Sequence, residues 1–141
     1  MSVSKKKVNR HMLSEMRKIY YPKGAPYIDW MGYPITEENH KSYHHIVKKE
    51  ELKRQNKSEK ATVENGAYLG KKSHELLHKV EQTDKELYEM WNFVFLVINR
   101  MRCYPIPDVW KMVYALQKQT EELFKEDPKV LRKLRKETAK H

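Results

Sequence analysis

The sequence predicts an α+β fold that is mostly helical, with a small two-stranded antiparallel ribbon and a helix at its centre and further helices on both sides. Apolar residues recur with helical spacing in the C-terminal third of the chain. The segment Ser42–Val47 has the β-branched and aromatic composition of a strand. The pair Asn65-Gly66, flanked by short apolar segments, is typical of a tight turn between two antiparallel strands.

The chain has 141 residues, the size of one domain, and we divide it into three parts. Residues 1–20 form a basic tail and a short helix, with the tail ending at Lys7. Residues 21–82 form the core with an aromatic lead-in, in which three prolines and two glycines within fourteen residues forbid a long helix. Residues 83–141 form a C-terminal helical extension, which ends in a short basic helix after Asp127-Pro128.

Four helices are predicted from residues typical of a helix N-terminus or from apolar residues at helical spacing. A serine, threonine or aspartate before an apolar periodic segment is a typical N-cap, because its side chain accepts a first-turn amide. The expected helices are Val8–Tyr20, then His74 to about Glu81 after Ser73, then a helix to about Arg102 after Thr83 or Asp84, and one after Asp108. In the third of them the expected inner stripe is Leu87, Met90, Trp91, Val94, Ile98 and Met101.

Charge and cysteine content limit the classes of function. The net charge of +10 predicts a polyanionic partner, and nucleic acid is the commonest one. Cys103 is the only cysteine, so an intrachain disulfide and a cysteine-rich zinc site are excluded and a cytoplasmic location is expected. The longest apolar run, Phe93–Ile98, is too short to span a membrane, so no membrane partner is expected.

Four of the seven histidines form two clusters. His74 and His78 are four residues apart on an expected helix, so they project from one face and could share a metal ion. With Glu75 they match the pattern H-E-x-x-H of zinc proteases, in which the glutamate is the general base. That interpretation lacks a third ligand and leaves His44-His45 without a role.

A second interpretation uses all four histidines. Tyr-His-His-Ile at 43–46, then Asn65, then His-x-x-x-His at 74–78 resembles the HNH endonuclease superfamily, whose ββα-metal fold holds one divalent cation. The resemblance covers roughly Tyr33 to Glu81. It is strongest to the branch that takes one metal ligand from the His-His pair and two from the helix, as colicin-type nucleases do.

The resemblance implies a role for each residue of the motif. The metal ligands would be His44, His74 and His78. His45 would be the general base that takes a proton from water, and Asn65 would tie the loop together and help to orient that base. The metal would be one divalent ion, with Mg, Mn, Ni and Zn left open because the family works with several.

DNA is therefore the expected substrate of a metal-dependent endonuclease of phage or mobile-element type. Basic residues that flank the expected site could contact its backbone: Lys48, Lys49, Arg54, Lys71 and Lys72. The helix 84–102 is apolar on most sides, which makes a homodimer through it an expectation. The chain departs from the family in having no bracing zinc cysteines and no separate DNA-reading module. A catalytically weak, HNH-derived module that binds DNA or a protein remains an alternative, beside the zinc protease.

Overall fold

The computed structural model describes residues 4–127 and 129–130. In chain order the elements are the helix α1 (Lys5–Tyr20), strand β1 (Lys41–His45), helix α2 (Lys49–Arg54), a 3₁₀ turn (Val63–Asn65), strand β2 (Gly66–Gly70), and the helices α3 (Lys71–Thr83), α4 (Lys85–Met101) and α5 (Pro107–Leu123). The predicted class, α+β and mostly helical with a ribbon and helix at the centre, is confirmed. None of the described helices is long and apolar enough to cross a membrane.

The two strands form the predicted antiparallel ribbon, with Lys41 opposite Gly70 and His45 opposite Gly66. The predicted tight turn at Asn65-Gly66 is wrong. Asn65 ends the 3₁₀ turn, and Gly66 begins β2 with an extended φ of −100°. Glycine is required there for space, because a Cβ would lie 2.5 Å from a ring carbon of Tyr43 and 2.9 Å from the sulfur of Met16.

Helix α3 follows β2 directly and carries the second histidine pair. Ser73 was expected to cap it, but the helix begins at Lys71 and Ser73 is buried inside its first turn. The reason is that acceptors distant in sequence already bind the leading amides. The amides of Gly70, Lys71 and Lys72 donate to Asp29 Oδ2, His40 O and Asn39 Oδ1 at 2.8, 2.7 and 2.8 Å.

The buried carboxylate of Asp29 organises the segment before the ribbon. Its Oδ1 accepts the amides of Met31 and Tyr33, both at 3.0 Å, while its Oδ2 accepts that of Gly70. Burial raises the pKa of Asp29 to about 6, although these hydrogen bonds act in the opposite direction. Trp30 beside it is fully buried, so this aromatic segment is part of the core.

Helix α4 is the central helix of the core. Asp84, one of the two expected caps, is the N-cap, since its side chain accepts the amide of Leu87 at 3.1 Å. Its buried face also includes Tyr88, Phe95 and Asn99. Two stripe predictions are wrong, since Met90 and Met101 are 41% and 39% exposed. The buried face of α4 is centred nearer Tyr88 and Phe95 than the predicted stripe. Met90 and Met101 therefore lie at the solvent-exposed margin of the helix.

The ends of the chain differ from expectation in three places. Helix α1 begins at Lys5, because Ser4 caps it by accepting the amide of Lys7 at 3.2 Å, so the expected tail through Lys7 is wrong. Asp108 lies in the first turn of α5 and does not cap it, since Pro107 already occupies the first helical position. The expected basic helix after Asp127-Pro128 lies mostly outside the described residues.

Candidate functional site

The end of β1, the start of α2 and the facing sides of α3 and α4 surround an open cleft of about 440 Å³. All four histidines singled out above line it: His44, His45, His74 and His78. Lys48 and Lys49 line it on the α2 side, Glu81 and Tyr88 on the helical side, and Asn9 reaches it from α1. The fold therefore brings both histidine clusters to one place.

His44 is the buried member of the group, with 4% of its surface exposed. Its Nε2 lies 2.8 Å from Oδ1 of Asn92 on α4, and its ring meets that of His74 edge to face with 5.3 Å between centroids. Because a carboxamide oxygen only accepts, Nε2 of His44 carries the hydrogen in this contact. The basic nitrogen of the ring is then Nδ1.

His74 lies at the first turn of α3, next to the ribbon. Its Nδ1 is 2.8 Å from Oγ of Ser42, a β1 residue on the same strand face as His44. Its ring stacks on that of His78 with centroids 4.7 Å apart and planes inclined by 27°. When Nδ1 of His74 donates to Ser42, the lone pair of the ring is on Nε2.

His78 is the exposed member, with 55% of its side chain accessible. Its Nδ1 is 3.7 Å from Oε1 of Glu81, one turn further along α3. Glu81 also forms an ion pair with Lys48, whose ammonium lies 5.5 Å from the centre of the Tyr88 ring. Burial is the largest influence on the pKa of Glu81 and raises it, but Lys48 and His78 together lower it more.

The three rings meet part of the geometry that a shared metal ion needs. Imidazoles bound to one tetrahedral ion through nitrogens at ~2.1 Å have ring centres about 5 Å apart. The observed distances of 5.3 Å between His44 and His74 and 4.7 Å between His74 and His78 agree with that value. The near-parallel stacking does not direct both rings to one point, and no group of three or more metal-binding side chains is arranged to hold an ion among the described residues. The exposed His78 is the ring with freedom to rotate.

Burial keeps the inner histidines neutral. It lowers the pKa of His44 to about 3 and that of His74 to about 4, and neighbouring imidazoles act in the same direction. Both rings are therefore unprotonated at pH 7, as nitrogen ligands must be.

His45 is the last residue of β1 and projects from the opposite strand face to His44. Its ring packs edge to face against Tyr43 at 4.9 Å, and its Nε2 lies 3.2 Å from the carbonyl oxygen of Glu59. This contact makes Nε2 the donor and leaves Nδ1 basic. Burial lowers the pKa of His45, and the charge of Lys49 acts in the same direction.

Asn65 closes the loop that follows His45. Its side chain binds both backbone groups of Val47, accepting the amide at 2.8 Å and donating to the carbonyl at 3.0 Å. Its own carbonyl accepts the amide of Ile46 at 2.9 Å. Three hydrogen bonds from one residue thus hold the two positions directly after His45.

The basic residues expected to contact DNA divide into two groups. Lys48 and Lys49 line the cleft. Arg54 forms an ion pair with Glu51 within α2 and does not line it. The remaining two, Lys71 and Lys72, begin α3 at the opposite end of the helix from Glu81 and do not line the cleft either.

The sequence interpretation missed the residues that hold the histidines from outside the motif: Ser42, Glu81, Tyr88 and Asn92. Two of them carried a signal. Ser42 is two residues before His44, so strand alternation puts both on one face, and Asn92 is a polar residue inside a strongly apolar helix. No protein-family model, curated protein or solved structure matches this chain.

Proposed function

We propose that this chain is a metal-dependent endonuclease that hydrolyses phosphodiester bonds in DNA, with the organisation of the HNH superfamily that its motif resembles. One observation carries the proposal. An antiparallel ribbon and the helix after it bring His44, His74 and His78 within ring distances of 5.3 and 4.7 Å, in an open cleft that Lys48 and Lys49 also line.

The partners of the three rings support the assignment. Histidines that bind a metal usually donate their other nitrogen to an oxygen acceptor, which fixes the tautomer and the ring orientation. Each ring here has an oxygen beside one nitrogen, supplied by Asn92, Ser42 and Glu81 at 2.8, 2.8 and 3.7 Å respectively. The other nitrogens remain as the metal donors: Nδ1 of His44 and Nε2 of His74 and His78.

A bound divalent ion would supply positive charge that stabilises the phosphate and the leaving oxygen. Three protein ligands leave coordination positions for phosphate and water. Imidazole donors suit Zn, Ni and Mn better than Mg, which prefers oxygen ligands.

The chain's own residues account for the remaining chemistry. His45 takes a proton from the attacking water at Nδ1, and its lowered pKa keeps it unprotonated near pH 7. Asn65 holds the loop after this base through Val47. Lys48 and Lys49 position the phosphate backbone, a role that requires charge and carries no sequence information.

A plasmid cleavage assay tests the proposal. Purified protein with supercoiled plasmid and Mg²⁺, Mn²⁺, Ni²⁺ or Zn²⁺ in turn should nick or linearise the DNA with at least one of these ions. His45→Ala should abolish cleavage and retain metal and DNA binding, while the matched control Glu75→Gln should cleave like the wild type. A zinc protease, in which Glu75 is the base, would instead leave the plasmid intact and cleave a protein substrate such as casein, and that activity would be lost in Glu75→Gln and retained in His45→Ala. Glu75 is exposed and is not among the residues that line the cleft, which argues against that role.

A catalytically weak DNA-binding module is the second candidate. The observation that favours it is the stacked arrangement of His74 and His78, which does not converge on one metal position. On this alternative the protein binds DNA but does not cut it with any of the four ions.

We also propose a cytoplasmic location, from the single cysteine, and a homodimer through the outer side of α4, where Met90, Phe93 and Met101 are exposed.

A further inference from the structure

We infer that α1 forms a second wall of the DNA-binding surface, with Lys5 and Lys6 contacting the phosphate backbone of duplex DNA that enters the cleft. The inference rests on the proposed function. Helix α1 lies outside the ribbon and α3. Lys5 and Lys6 belong neither to the histidine motif nor to the basic residues that the sequence led us to expect at the DNA.

The packing of α1 fixes where its first turns lie. Leu13, Met16 and Tyr20 are its buried residues, and the helix packs mainly on β1, the strand that carries His44. Asn9 lies one turn before Leu13 on the same face and lines the cleft. The inner face of α1 therefore continues past the packed core and reaches the cleft at Asn9.

Helical spacing extends this face further. Lys5 and Lys6 lie four and three residues before Asn9, and residues with that spacing have Cβ atoms about 5–6 Å apart on one side of a helix. Both lysines are exposed. Their side chains are thus next to Asn9, the residue of α1 that lines the cleft.

The charge of α1 is uneven in a way that indicates a partner. The helix carries six lysines and arginines and a single carboxylate, Glu15. Towards its C-terminal end these cations have neighbours, because Arg17 lies 4.3 Å from the Tyr27 ring centre and Lys18 is 3.4 Å from Glu15.

At the other end, Lys5, Lys6 and Lys7 occupy a first turn that has no acidic residue. None of the ion pairs found in the described part of the chain includes them. Cations are unfavourable at the positive end of the helix dipole, so this turn is a poor local choice for stability. A DNA phosphate backbone beside the cleft would neutralise these lysines. Lys48 and Lys49, which line the cleft, add two further positive charges to this basic surface.

Salt-dependent binding of the full chain to DNA tests the inference. Binding of a fluorescein-labelled 20-base-pair duplex is followed by anisotropy in EDTA, from 50 to 200 mM KCl. Each lost phosphate contact lowers the slope of log K against log salt by about 0.9, so Lys5→Ala/Lys6→Ala should lower it by about 1.8 and weaken binding several-fold at 50 mM. Lys111→Ala/Lys118→Ala is the matched control, since it removes the same charge from α5, which contributes no residue to the cleft lining.

The outcomes separate the inference from the proposed function. An unchanged slope in Lys5→Ala/Lys6→Ala overturns the inference, and so does an equal decrease in the α5 control, which would report net charge alone. Alanine favours helix, so the variant should fold, and circular dichroism checks this. Lys5→Gln/Lys6→Gln should reproduce its slope. If the wild type binds no duplex at all, the proposed function fails together with the inference.

Discussion

The ribbon-helix unit, residues 41–83, and helix α4 contribute differently to the site. The unit carries all four histidines of the cleft. Helix α4 carries none, but Asn92 holds His44 at 2.8 Å and Asn99 donates to the carbonyls of Val63 and Gly66 at 2.7 and 2.8 Å. Part of the support for the histidines is thus encoded outside the unit that carries them, and α4 lines the proposed site without supplying a proposed reacting group.

The largest expected effect of breaking this support is on stability. Asn99 is fully buried, and Asn99→Ala leaves the carbonyl of Gly66 without its donor, while the carbonyl of Val63 keeps only the amide of Gly66. We expect the free energy of unfolding to fall by about 2–4 kcal/mol, since one buried unsatisfied carbonyl costs about 1–3 kcal/mol and the lost hydrogen bond to Val63 about 1 kcal/mol more. Urea denaturation measures it.

Asn92→Ala is the control on the same helix, because Asn92 is only half-buried. It leaves Nε2 of the buried His44 without its acceptor, but water can reach the half-buried position, so the free energy of unfolding should fall by only about 1 kcal/mol. Equal losses of stability in Asn92→Ala and Asn99→Ala would contradict this expectation. They would show that the contact of α4 with His44 stabilises the fold as much as its contacts with the carbonyls of Val63 and Gly66.

The next effect is on the pH dependence of stability. The folded-state pKa of His44 is lowered to about 3 from the ordinary 6.5, so the unfolded chain binds the proton more tightly and stability falls as the pH decreases below 6.5. Asp29 acts in the opposite direction, since its raised pKa of about 6 favours the folded state at low pH and this contribution is lost as the pH rises from about 4 to 6. His74, with a pKa of about 4, acts like His44.

His44→Gln removes one of these contributions. Between pH 4 and 6, one such group changes the free energy of unfolding by about 1.4 kcal/mol per pH unit. We expect the slope in the variant to be smaller by that amount, measured by urea denaturation at pH 4.5, 5 and 6. An unchanged slope would mean that His44 is not held neutral by burial.

A smaller effect is expected on the metal affinity of the proposed site, separately from the stability of the fold. Histidines that lose an outer hydrogen-bond partner typically lose about 10–100-fold in metal affinity. Asn92→Ala should therefore weaken Ni²⁺ binding by that factor while the fold is retained, as measured by isothermal titration calorimetry. Normal Ni²⁺ affinity in this variant would restrict the role of α4 to packing.

The smallest effect is expected on the outer side of α4. Phe93 is 61% exposed, so Phe93→Ser should change the stability of a monomer by no more than about 0.5 kcal/mol. If the proposed homodimer forms there, the same substitution should convert it to a monomer in sedimentation equilibrium. A wild type that sediments as a monomer at all concentrations contradicts the homodimer.

Sequence patterns predicted the features that neighbouring residues determine. They missed the features that depend on packing between residues distant in the sequence. The cap at Asp84 and the strand at His44 were predictable because a side chain or a few neighbours determine them. Asn65-Gly66 has turn propensity, but Gly66 is used instead to admit the Tyr43 ring, which lies distant in sequence. The role of Asn92 rests on a contact between residues 48 positions apart, and no local pattern encodes it.

The central claim is that His44, His74 and His78 share one divalent ion. Isothermal titration calorimetry with Ni²⁺ at pH 7.5 tests it most directly. We expect the wild type to bind one ion per chain, and His74→Ala, which removes the middle ring, to lose at least ~100-fold in affinity while His11→Ala, on the exposed side of α1, binds normally. Binding of equal affinity in the wild type and His74→Ala, or none in the wild type, would contradict the claim.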